Sequence, residues 1–124
     1  MEEIKIIDNF MDKREFRNYV YTMLHNNNYN PITIDDERIS DDIKKNDNDL
    51  LATKDNKKYT VQTFLNKPIT DKQIEETKKD MEKENVLYGL IVTNMEVDKK
   101  TKEKAEKSRI TILDKSNLKK GIYN

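Results

Sequence analysis

At 124 residues, 34% of them hydrophobic and 39% charged, the chain is long enough to bury one core, and with only two Gly and two Pro it is no flexible linker. Lysine plus arginine and aspartate plus glutamate balance at 24 each, so there is no global basic excess to hold a polyanion without specificity. The count of zero cysteines excludes a disulfide framework or a thiolate metal site.

The apolar residues are clustered in periodic segments. From Asp12 onward, Phe16, Tyr19, Val20, Met23 and Leu24 recur at the spacing of one helix face, with Asp12 and Glu15 at the spacing of a capping box. Asn26, Asn27 and Asn28 should end this helix, since Asn disfavours helix interiors. Pro31 to Ile34 is a short β-branched strand, and residues 35–47 read as an acidic, solvated loop. Leu50, Leu51 and Ala52 predict a second strand. Asp55 and Asn56 make a turn, because both tolerate positive φ. From Lys57 to Phe64, Tyr59, Val61 and Thr63 alternate with Thr60, Gln62 and Phe64, which predicts a third strand.

Thr70 and Gln73 form a second capping box, flanked by Ile69 and Ile74 as a hydrophobic staple, so a helix is expected from Asp71 to about Glu84. Residues 86–92 are a nearly continuous apolar run, the pattern of a strand buried on both faces and far too short to cross a bilayer. Residues 99–107 predict a charged helix anchored by Val97 and Ala105. A fifth strand follows from Arg109 to Leu113, with Ile110 and Ile112 on one face. A short helical turn with Leu118 and Ile122 closes the chain. Met1, Glu2 and Glu3 have neither the basic nor the apolar region of an export signal, so one cytoplasmic domain over residues 1–124, with no membrane partner, is expected.

This order, αβββαβαβ, predicts an α/β (α+β mixed) fold: a mixed five-stranded sheet with helices on both faces. The stretches Asp49, Leu50, Leu51, Ala52, then Tyr59, Thr60, Val61, Gln62, then Leu90 to Asn94 and Ile110 to Asp114 follow it in a familiar spacing. Together they resemble the restriction-endonuclease-like (PD-(D/E)xK) nucleases, and Mrr-type endonuclease domains in particular. The resemblance covers nearly the whole chain and implies a three-layer fold.

It also implies metal-assisted phosphodiester hydrolysis, in which an Asp and a Glu or Gln hold Mg²⁺ and a lysine on the same strand face supports the nucleophile. Under the resemblance Asp49 matches the first ligand and Gln62 the second, in amide form. The lysine slot holds Phe64, and the acidic position of the opening helix holds Arg17. The residues therefore imply a degenerate site on a kept scaffold, serving as a weakly DNA-associated or protein-interaction module, with a homodimer as a family-level expectation. The alternative is a Mg-dependent DNA endonuclease with a rearranged site. There Asp47 would supply a second carboxylate, and Lys58 or Lys67 the missing lysine. A third reading is a small α/β protein whose likeness to nucleases is only topological. The single histidine, His25, suits the C-terminal end of the first helix rather than a site. The lysines of residues 99–107, interleaved with Glu103 and Glu106, suit a solvated helix surface.

Overall fold

The computed structural model describes residues 13–33 and 50–119. Its elements are α1 (Lys13–Asn26), β1 (Asn30–Thr33), β2 (Leu50–Lys54), β3 (Lys57–Phe64), α2 (Asp71–Lys83), β4 (Tyr88–Thr93), α3 (Lys99–Glu106), β5 (Ile110–Leu113) and α4 (Lys115–Lys119). The strands lie side by side in chain order in one five-stranded sheet. β1, β2 and β3 pair antiparallel, while β3, β4 and β5 run parallel. The change of direction follows from the connections: a two-residue turn permits only an antiparallel partner, and a helical crossover returns the chain in parallel.

Local chemistry explains each turn. α1 stops where Asn28 takes φ 71°, a left-handed conformation that Asn bears better than other side chains. The Tyr29 N–H then reaches back to the Leu24 carbonyl at 2.9 Å. Asp55 and Asn56 have φ 51° and 66°, the paired positive values of a type I′ hairpin turn, and they set Lys54 opposite Lys57. The expected cap at Asp12, the end of the first strand at Ile34, the loop of residues 35–47 and Ile122 lie outside the described residues.

Each face of the sheet buries its own core. On one, Phe16, Val20 and Leu24 of α1 and Leu118 of α4 pack on Ala52, Val61, Leu90 and Val92. On the other, Ile69, Ile74 and Met81 around α2 and Ala105 of α3 pack on Ile91, Ile110 and Ile112. Strand alternation alone assigns the faces, since Val61 and Gln62, or Leu90 and Ile91, point to opposite sides. α2 begins as expected: Thr70 donates its N–H to Gln73 Oε1 at 2.8 Å, and Ile69 and Ile74 are buried in one cluster. α2 also lies unusually close to β4. A Cβ on Gly89 would stand 2.9 Å from Thr77 Cγ2 and 3.1 Å from Met81 Sδ.

One element differs from expectation. The apolar run at residues 86–92 does not form a strand throughout: β4 starts at Tyr88, and Leu87 is 63% exposed. The reason lies in the end of α2. Asn85 adopts φ 54°, and Val86 donates to the Met81 carbonyl at 2.9 Å, so Val86 closes the helix instead of opening the strand.

Candidate active site

β3 carries Gln62 and Phe64 on the face covered by α2. Gln62 is buried, and its amide is engaged at both ends. Its Oε1 accepts from Thr77 Oγ1 at 2.6 Å, and its Nε2 donates to Asp80 Oδ2. The Thr77 hydroxyl also lies 2.9 Å from the Gln73 carbonyl, so its single proton is shared between two acceptors. Asp80 is buried as well, in the third turn of α2. Phe64 is half-buried and packs against the apolar cluster of Ile69, Ile74 and Ile91. Arg17 of α1 is 8% exposed, which takes a guanidinium almost fully out of water.

The other residues singled out in the sequence fall in different places. Asp47 and Asp49 lie outside the described residues. The described pair nearest to them in sequence is Leu50 with Val61. Lys58 stands opposite Thr53 at the hairpin end of β3. Four residues of strand separate it from Gln62, roughly 13 Å. Lys67 is exposed in the turn that follows β3.

Where β3, β4 and β5 end together, a second polar network closes the sheet edge. Asn66 donates its N–H to Asn94 Oδ1 at 2.8 Å, and Asn94 Nδ2 returns a bond to Asn66 Oδ1 at 2.9 Å. Asp114, 1% exposed, accepts from the N–H groups of Val97 at 3.0 Å, Ser116 at 3.1 Å and Asn117 at 3.3 Å. Lys102 Nζ sits 3.1 Å from its Oδ2. Burial pushes the Asp114 carboxyl up, but the bonds from Val97, Lys102 and Asn117 and the lysine charge outweigh it and hold it below the ordinary carboxylate value.

The family model for Mrr-type restriction endonucleases matches residues 8–122. The chain belongs to the Mrr-type restriction endonuclease family. The crystal structure of AF1548, a protein of unknown function, superposes with a TM-score of 0.59 at 18% identity, over 82% of this chain and 57% of that one. This likeness supports the same restriction-endonuclease-like fold, and the chain spans little more than half of that structure's length. A search of curated proteins gives no match.

Against the family's metal chemistry, the described residues do not by themselves fit a Mg²⁺ ion. A hard cation needs several anionic oxygens, whereas position 62 offers a neutral amide whose oxygen already accepts a hydrogen bond. Among the described residues no three acidic or histidine side chains converge. Asp80 was not foreseen from the sequence. Its signal was present, though weak: Gln62 shares its strand face with the apolar Phe64 and needs a polar counterpart there. Thr77, Asp80 and Met81 lie at the helical spacings that bring them to one face.

Proposed function

We propose that this member of the Mrr-type family is a DNA-associated module on a nuclease scaffold, without the hydrolytic centre. One observation carries the reading: the side chain in the lysine slot, Phe64, is half-buried in the α2-side core. A phenyl ring there can neither donate a proton nor offset charge developing on a phosphate. The neighbouring Gln62 supports the same reading, because its amide is used to hold α2 on the sheet. The resemblance matches an acidic position of the opening helix to Arg17, so that position offers no carboxylate ligand.

A second reading, an endonuclease with a rearranged site, draws on Asp80. A buried carboxylate lies against the residue that matches the family's second ligand position, so one acid is at hand on α2 rather than on β3. Incubation with supercoiled and linear DNA in Mg²⁺ or Mn²⁺ separates the two. The expected outcome is salt-dependent DNA binding without strand cleavage, unchanged in Phe64→Lys. Metal-dependent cleavage abolished by Asp49→Ala and by Asp80→Asn would establish the second reading instead.

A further inference from the structure

At the hairpin end of the sheet three tyrosines form a row: Tyr29 just before β1, Tyr59 on β3 and Tyr88 at the start of β4. The Tyr29 and Tyr59 rings meet edge to face at 5.7 Å, and Tyr59 and Tyr88 lie tilted at 5.4 Å. Lys54 Nζ stands 4.6 Å above the Tyr29 ring, and Lys57 Nζ 5.2 Å above Tyr88. The register puts Lys54, Lys57, Tyr59 and Tyr88 on one face, and the Tyr29 ring meets Tyr59 there. Lys54 opposes Lys57, Ala52 opposes Tyr59, and Tyr59 neighbours Tyr88. This face is the one covered by α1, and the row lies on the fringe of that core, with all three rings half-buried.

Two features of the row are not explained by packing. Like charges directly opposite one another in an antiparallel pair are destabilising, yet Lys54 faces Lys57 across the turn. Among the described residues neither lysine, nor Lys58 beside them, makes an ion pair. Lys78, Lys102 and Lys104 each find a carboxylate. Residues 54–58 thus carry three lysines against the single Asp55, a local excess of two positive charges in a chain of zero net charge.

We propose that this tyrosine–lysine row binds single-stranded nucleic acid, with phosphates on Lys54 and Lys57 and unpaired bases on the rings. The pairing of uncompensated cations with aromatic faces is what such a strand needs: a charge track for the backbone and platforms for the bases. Lys57 is exposed and Lys54 half-exposed, where a cation–π contact is weak, so each lysine can swing from its ring to a phosphate and leave that ring face to a base. A duplex, whose bases are stacked internally, would use only the lysines. The surface lies at the opposite end of β3 from Phe64, so it stands whether or not the nuclease centre is lost.

The protein has six tyrosines and no tryptophan, so its intrinsic fluorescence reports on tyrosine alone. Titration of the full chain with labelled 12-nucleotide DNA and RNA single strands, and with the matching duplex, is the test. Expected are quenched tyrosine emission and tighter binding of a single strand, DNA or RNA, than of the duplex. Lys54→Gln with Lys57→Gln should weaken single-strand binding roughly tenfold at low salt and reduce the salt slope by about 1.4. Tyr88→Leu should weaken it roughly fivefold with the salt slope unchanged. Thermal melts of both variants confirm that they remain folded. No single-strand binding, duplex bound as tightly, or folded lysine variants with unaltered affinity and salt slope would each overturn the proposal.

Discussion

Two buried carboxylates, Asp80 and Asp114, illustrate different uses of an acid inside one small sheet. Asp114 is answered by the fold itself. Three backbone N–H groups and the Lys102 ammonium converge on it, and in return it joins the loop after β4 to the start of α4. Asp80 instead meets a side chain, the amide of Gln62 on β3. Backbone donors are fixed by the topology, so an acid that uses them belongs to the scaffold. An acid held by a side chain depends on one residue choice, and that is the part of a site that sequence change can rewrite.

The largest test of this contrast is Asp114→Ala. It strips the acceptor from three backbone donors and leaves Lys102 without its partner, and should cost about 3 kcal/mol in urea unfolding. Gln62→Leu leaves Asp80 and Thr77 each short of one bond, and should cost about 2 kcal/mol by the same measurement. If Gln62→Leu proves the costlier, the amide holds the fold together more than the edge network does, and the contrast is reversed.

The smallest effect expected is on pH dependence. The folded-state value of Asp114 lies below the ordinary 3.8, so the folded protein favours the ionised form. Its contribution is complete above about pH 4 and is lost as the pH falls through the lowered value. Urea midpoints should therefore drop between pH 5 and pH 2.5 in the native chain, and drop less in Asp114→Asn. An equal drop in both would assign the acid sensitivity to other carboxylates.

Elements whose signals are local were legible in the sequence. The Thr70–Gln73 capping box, the Asp55–Asn56 turn and the stripe from Phe16 to Leu24 each lie within a few residues and fix their own geometry. The two-faced core was legible too, because the run at residues 86–92 is apolar on both parities. What escaped was whatever depends on residues far apart in the chain. Asp80, which no local pattern singles out, meets Gln62 only once α2 is set on β3. Tyr29, Tyr59 and Tyr88 are about thirty residues apart and become neighbours only through strand register. Leu87 misled in the other direction, since its apolar neighbours hid a helix ending that depended on Asn85 turning left-handed.

The Gln62–Asp80 contact also constrains how a chain like this one changes over generations. A glutamate at position 62 would bring two carboxylates within hydrogen-bond distance inside the sheet. Like charges so close cannot both ionise without a cation between them, so they would share a proton. While Asp80 stays, the amide is therefore the better partner, and Gln62→Glu would need an ion or a shared proton to be held there. The neutral residue and the buried acid thus constrain each other, so that a change at one position is felt at the other.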